Sequence, residues 1–351
     1  LKEEGSLDVF GATLNYEGVL TDEVEAIGLP KIPQFPLTSF YNANFIRQVR
    51  LCAKFLAENR IDLVHTHDFY TNVFGLAAAT LAGIPARVAS KRETDGMRSG
   101  SQEFVEKLAF SRANAIVANS EAVRSYLIDR SVSARKVHII YNGIAVDRFT
   151  SADLDTGAGR QKFGLPHDEK IRFVTIVANL RHEVKNVPML LRSARRIVES
   201  EPNVHFVIAG EGQLEAKIRE MAIESGISDK VHFIGRCADI PSLLATSYVC
   251  VLTSIAEGFS NSILEYMAAG RPVVATAVGG AAEAIDHGVS GYLVASDDDE
   301  RMADHLMEFL RDEEKAERFG SKGREIVAER FSREIRLKKT LELYGTLGVR
   351  P

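Results

Sequence analysis

Short apolar runs alternate along this chain with longer runs whose apolar positions recur every three or four residues. The segments 61–67 (IDLVHTH), 86–91 (ARVASK), 115–120 (AIVANS) and 136–143 (KVHIIYNG) have strand character, as does the opening LDVFGAT at 7–13. Between them, 42–60, 73–83, 102–113 and 121–130 have helical periodicity, the second ending on a glycine. Strands separated by helices of this length predict a parallel sheet covered on both faces.

The texture then changes. Residues 150–170 (TSADLDTGAGRQKFGLPHDEK) are rich in Gly, Asp and Ser and have weak apolar periodicity, which reads as a linker with one short helix. After it the rhythm restarts. Strands are predicted at 171–178, 204–210, 230–235, 248–254, 271–277 and 291–295. The helix at 186–200 places apolar residues at 187, 190, 191, 194, 197 and 198. Another helix covers 213–226, residues 300–331 read as one helical region, and 332–347 as a terminal amphipathic helix. The predicted architecture is therefore α/β: a first Rossmann-like domain over 1–150, a linker over 151–170, a second over 171–331, and a last helix over 332–351. Two such doubly wound domains would face each other across a cleft, with a ligand at the carboxyl ends of their strands.

Composition narrows the classes of function. The 351 residues suffice for two domains, and 45% apolar with 26% charged residues is ordinary for a globular protein. A net charge of -5 gives no basic field for a nucleic-acid partner. Three widely spaced cysteines, Cys52, Cys237 and Cys250, fit neither a disulfide framework nor a metal cluster. No apolar run reaches the roughly 18 residues of a spanning helix, and no signal peptide is visible. The chain opens LKEEGSLDVFG, without an initiator Met, as if inside a domain.

Candidate chemistry concentrates where strands give way to helices. EGFSNSILEYMAAG (257–270) follows a strand directly and holds two glutamates, Glu257 and Glu265. Gly258 permits a tight turn or close ligand approach, and Ser260, Asn261 and Ser262 are good helix-start residues. Such a junction presents unpaired N–H groups and the positive end of a helix dipole, a ready anion site. A second reading stands beside it: Ser262 and Glu265 have the spacing of a capping box. In ANLRHEVKN (178–186), Arg181 and Lys185 lie four apart, on one face if the segment is a helical turn, and could clamp a diphosphate or form a solvated pair. Gly279 and Gly280, and the glycines of IAGEGQLEAKI (208–218), mark two further junctions of the same kind.

The order of these motifs, R-x3-K, AGEGQLEAKI, FIGRCADIPSLLATSYVCVLTSIAEGFSNSILEYMAAGRPVVATAVGG and GVSGYLV, resembles the retaining, nucleotide-sugar-dependent glycosyltransferases of the GT-B fold, group 1 or family 4. The resemblance covers nearly the whole chain and is most specific from about 171 to 295. It implies that Glu257 lies near the donor sugar's hydroxyls and that Glu265 binds the ribose. Gly258, Phe259, Ser260 and Asn261 match the loop whose backbone meets sugar and diphosphate. Arg181 and Lys185 match the cations that neutralise the leaving diphosphate, Gly210 belongs to a donor-side junction, and Arg236 marks the segment beside the base. In the first half, His65 and His67 match the family's H-x-H strand end, which sets His67 or Asp68 against the sugar or acceptor. His65 is equally readable as a structural histidine. The segment YNGIAVDRF (141–149) matches a signature ahead of the linker, with Asn142 and Gly143 in a turn, Asp147 structural and Phe149 an anchor.

Two departures stand out. Many relatives carry a histidine after the second of these strands, where this chain has KRETDG (91–96), so that Arg92 or Glu93 is expected to replace it. The family's opening strand, Gly-rich loop and long helix are expected ahead of Leu1.

The resemblance implies an enzyme that transfers a hexose or N-acetylhexosamine from a UDP- or GDP-sugar to a hydroxyl of a carbohydrate or lipid-linked acceptor. The nucleotide sugar is then a substrate and no cofactor is permanently bound. No metal requirement is expected, because the acidic runs ADLD (152–155) and SDDDE (296–300) read as solvated turns. The expected location is cytoplasmic. Arg47, Arg50 and Lys54 on the helix at 42–60 would suit contact with a membrane's inner face, or simply a solvated helix face. Oligomeric state has no signature here. The alternatives are an inactive, glycosyltransferase-like nucleotide-binding scaffold, or a sugar phosphorylase or epimerase of the same fold.

Overall fold

The structure, a computed structural model, describes residues 7–18, 21–94, 98–150 and 155–349. The opening residues 1–6, Asp95 and residues 152–154 of the run ADLD lie outside that set. The chain forms two compact units, one made of Leu1–Ile140 with Leu337–Pro351, the other of Tyr141–Arg336.

The first unit runs α1 (Thr21–Ala26), α2 (Ala43–Glu58), β1 (Leu63–Thr66), α3 (Phe69–Leu81), β2 (Ala86–Lys91), α4 (Gly100–Arg112), β3 (Ala115–Ala118), α5 (Glu121–Asp129) and β4 (Val137–Ile139). The four strands pair in parallel in the order β1-β2-β3-β4. Alternate strand residues bury on opposite faces, as the pleat requires. Ala89, Ile116 and Ala118 pack under α3, α4 and α5 through Leu76, Phe110 and Leu127. Val88, Ala115 and Val117 pack with Leu343 and Tyr344 from the C-terminal segment. The segment 7–13, expected as a strand, forms none; Thr13 makes an isolated bridge to Gln34 instead.

The second unit begins with α6 (Thr156–Lys162) and β5 (Arg172–Val177). It continues through α7 (Val187–Val198), β6 (Val204–Ala209), α8 (Glu215–Glu224), β7 (Val231–Gly235), α9 (Ile240–Thr246), β8 (Val249–Leu252), α10 (Asn261–Ala268), β9 (Val273–Thr276), α11 (Ala281–Ala284), β10 (Gly291–Val294), α12 (Asp299–Arg311) and α13 (Glu313–Arg330). The last helix, α14 (Arg333–Thr346), starts here and ends in the first unit. Here the compact unit starts before residue 150. Ile144 exchanges backbone hydrogen bonds with Phe331 and Arg333, and Phe149 is buried against α10 and β9 residues. The short helix of the expected linker is packed too. A Cβ on Gly159 would stand 2.6 Å from Thr246, and Lys162 pairs with Asp239 at 2.5 Å. The helical region 300–331 is two helices, because Asp312 leaves helical geometry and caps α13 by accepting from Lys315 N at 2.9 Å.

The six strands are parallel in the order β10-β9-β8-β5-β6-β7. Chain progression reverses between β5 and β8, which defines the topological switch point. One face packs Val174, Ile176, Phe206 and Val251 under α7, α8 and α12; Cys250, Leu252 and Ala275 lie under α10 on the other. β5 and β8 pair at Val174–Val249 and Thr175–Cys250 and then part. The peptide groups of Val177 that point toward β8 lose their ladder partners, and a buried unpaired peptide group is costly. α10 supplies replacements: Tyr266 Oη, fully buried, accepts from Val177 N at 2.7 Å, and Ser262 Oγ donates to Val177 O at 3.2 Å. Tyr266→Phe should therefore destabilise the protein by about 1–3 kcal/mol, read as a lower urea midpoint with an unchanged slope.

Candidate active site

The loop from β8 to α10 is laced to its neighbours through backbone. Ile255 N donates to Val184 O at 2.9 Å, Gly280 N to Gly258 O at 2.8 Å, and Thr253 Oγ1 to Lys185 O at 2.7 Å. Gly279 has φ +54°, and a Cβ there would lie 2.2 Å from Glu257 O. Only glycine allows that approach. Gly210 serves the same end between β5 and β6, where a Cβ would lie 1.8 Å from Ala178 O. The carboxyl ends of β5, β6, β8 and β9 thus form one fixed backbone platform.

Within it, Lys185 closes a short 3-10 turn (Glu183–Lys185), and its Nζ lies 2.5 Å from Glu257 Oε1. The same oxygen accepts from Ser254 Oγ at 2.7 Å. Both partners are largely shielded, with Lys185 19% and Glu257 14% exposed. Arg181 does not share a helical face with Lys185. It precedes the 3-10 turn, is exposed, and pairs with Glu211 at 3.5 Å. A cavity of about 300 Å³, floored by Leu180, Val187, Leu214 and Met221, also has Lys185 in its wall.

The capping-box reading fails. α10 starts at Asn261, its N-cap Ser260 makes no side-chain cap bond, and Ser262 is engaged by Val177. The first turn of α10 is thus left without a side-chain cap, the arrangement that favours an anion. Glu265 is half-buried instead, and desolvation pushes its carboxyl up to about 7, with Arg148 opposing. Its charge also bears on Cys237, one residue after Arg236, which is exposed and follows Gly235 (φ +66°). Phe259 is buried between Tyr141 and Phe331, with ring centroids at 5.1 and 5.2 Å. Asn142, expected in a simple turn, instead donates to Phe259 O at 3.1 Å and to Asn261 Oδ1 at 2.9 Å. Asn142, Ser254 and Thr253 position the loop; Asn142 lies in the YNGIAVDRF signature but its loop-holding role is not written there, and no local motif announces Ser254 or Thr253.

In the first unit, His65 is held at both ring nitrogens, by Tyr344 Oη at 2.7 Å and Ser90 Oγ at 2.8 Å. The His67 ring stands 4.3 Å from that of His65, and its Nδ1 is 3.5 Å from Ser90 Oγ. Asp68 caps α3, accepting from Thr71 N at 2.7 Å in a reciprocal capping box. Arg92 is exposed, with its carbonyl 3.4 Å from Asn119 Nδ2. Glu93 pairs with Arg98 at 2.9 Å and with the buried Lys91 at 3.4 Å, while Lys91 also pairs with Glu106 at 2.8 Å. In SDDDE, Asp298 caps α12, and Asp297, Asp299 and Glu300 pair with Arg192 and Arg196. Among the described residues, no group of three or more His, Cys, Asp or Glu stands together as a metal site.

Two family models match the chain: Glycosyltransferase Family 4 over residues 3–148 and Glycosyl transferases group 1 over 158–326. The chain belongs to these nucleotide-sugar-dependent glycosyltransferases, and its two Rossmann-like α/β units are those of the GT-B fold. The curated N-acetyl-alpha-D-glucosaminyl L-malate synthase of Bacillus anthracis is 27% identical over 300 residues, 84% of this chain and 76% of that protein. D-inositol 3-phosphate glycosyltransferase 1 of Catenulispora acidiphila is 28% identical over 273 residues, 72% of this chain and 64% of that protein. A solved glycosyltransferase from Rickettsia africae superposes with a TM-score of 0.85 at 18% identity, covering 99% of this chain and 91% of that one. Anabaena Alr3699/HepE, solved with UDP and glucose, gives 0.84 at 23%, covering 95% and 90%. At these identities the two structures speak to the fold.

Glu265 generates a pH prediction. Its folded value lies above its unfolded one, so between about pH 4.5 and 7 the folded state holds the extra proton, and stability falls as pH rises through that window. Glu265→Gln should be more stable than the wild type at pH 8, by on the order of 2 kcal/mol. The two should converge near pH 4 in denaturant titrations.

Proposed function

We propose that this protein moves a sugar from a UDP-linked donor to an acceptor hydroxyl with retention of configuration, and that the second unit holds the donor. The observation that carries the reading is Lys185 set against Glu257 at the loop that opens into the uncapped start of α10. The diphosphate lies against the first N–H groups of α10, with Lys185 and, once turned from Glu211, Arg181 neutralising it. Glu257 receives hydroxyls of the donor sugar, Glu265 the ribose, and the segment at Arg236 flanks the base. The relatives' names, and the Anabaena protein solved with UDP and glucose, support a UDP-linked hexose or N-acetylhexosamine.

Cleaving the bond between C1 and the phosphate oxygen moves negative charge onto the diphosphate, and prealigned donors and cations lower that barrier. The acceptor oxygen bonds to C1 on the face the phosphate leaves, and its proton passes to the departing phosphate oxygen. No covalent enzyme intermediate is required. In the first unit, His67 carries the acceptor-side role, and Glu93, fixed by Arg98 and Lys91, takes the place of the family's histidine. Asp68 positions α3 rather than touching substrate. The exposed face of α2, with Arg47, Arg50 and Lys54 beside exposed Ile46 and Leu51, supports contact with a membrane surface that carries a lipid-linked acceptor.

The test is to incubate the protein with a panel of UDP- and GDP-sugars and measure nucleotide release, with and without EDTA. Release from one donor, unchanged by EDTA and lowered about 100-fold in kcat by Lys185→Ala, is the expected result. Tight nucleotide binding without turnover of any donor would instead mark a binding protein.

A further inference from the structure

Lys185 already has a partner within the chain. Its ammonium lies 2.5 Å from the Glu257 carboxylate, and the Ser254 hydroxyl fixes that carboxylate from another direction. The backbones of both loops are tied by the hydrogen bonds from Ile255 to Val184, from Thr253 to Lys185 and from Gly280 to Gly258, so a change of partner falls on the side chains. A shielded ion pair opens at little cost only when both charges gain new partners together. Opening it toward a bare diphosphate satisfies Lys185 but leaves the Glu257 carboxylate beside new negative charge. A diphosphate carrying a sugar satisfies both, because sugar hydroxyls can donate to Glu257.

We infer that the Lys185–Glu257 pair is an exchange device by which the site discriminates an intact nucleotide sugar from the spent nucleoside diphosphate. Glu257 competes with the product for Lys185 and so speeds product departure. The discrimination is written as repulsion in the wrong complex as much as attraction in the right one. This role rests on the donor site proposed above, and the experiment separates the two.

Calorimetric titrations would use UDP and UDP-glucose, with GDP and GDP-mannose as the second probe pair, on wild type, Glu257→Gln, Lys185→Ala and the double variant. Melting curves establish that each is folded, and Glu257→Ala serves if the glutamine variant is not. Removing the carboxylate should tighten nucleoside diphosphate binding about tenfold while the nucleotide sugar gains nothing, so the preference between them collapses. The double variant should bind the diphosphate no more tightly than Lys185→Ala alone, which places the gain on Lys185. If Lys185→Ala weakens diphosphate binding but Glu257→Gln leaves it unchanged or weaker, the exchange is overturned and the donor site stands. A gain that persists in the double variant also overturns it. If no probe binds the wild type, or Lys185→Ala changes nothing, the donor-site reading falls first.

Discussion

At the switch point of the second sheet, two neighbouring strands must part, and the peptide groups exposed by the parting must be paired again. Val177 is where this happens. Its N–H and C=O are taken by Tyr266 and Ser262 of α10. That solution fixes the axial position of α10 relative to β5, and with it the start of the helix, the preceding loop and the side chains of Glu257 and Glu265. The crevice where ligands bind in such sheets is therefore set by a demand for backbone hydrogen bonding. The glycines at 210 and 279 complete it by letting adjacent loops touch carbonyl to Cα.

Charge is handled differently in the two units. In the second, the Lys185–Glu257 pair is shielded but reachable, and each partner could be offered something better by a polyanionic, hydroxyl-bearing molecule. In the first, Lys91 is almost wholly buried and bound to Glu106 and Glu93, with Arg98 pairing to Glu93 from the other side. Removing one member there would strand a charge away from water, so that network is suited to holding the end of β2 in place. Arg98 also stacks over Phe69, at 4.7 Å, which ties the network to the start of α3.

The element pattern was legible because most strands are continuous apolar runs and α2, α7 and α12 carry a clear stripe. The failures have local causes. Residues 300–331 read simply as a helical region because Asp312 interrupts no stripe; its capping role shows only in its backbone angles and in the bond it accepts from Lys315 N. The short α9 was not anticipated, since IPSLLAT is as apolar as a strand. For the site, motif order carried the family, while spacing misled. Arg181 and Lys185 looked like one helical face, and Ser262 with Glu265 like a cap, because spacing cannot tell which backbone a segment adopts. Asn142 was invisible as a loop-holder because its partners, Phe259 and Asn261, lie more than a hundred residues away in the chain.

The last helix has a consequence for how the molecule is made. The first unit is discontinuous: Leu343 and Tyr344 close one face of its sheet, and Tyr344 satisfies His65 across a separation of 279 residues. A ribosome delivers those residues after the entire second unit has emerged. The second unit is continuous from Tyr141 to Arg336, whereas the part of the first unit's sheet face that Leu343 and Tyr344 cover is closed only by residues translated last. The last strand-covering contacts of the unit that is translated first thus come from the end of the chain, so its sheet is completed last.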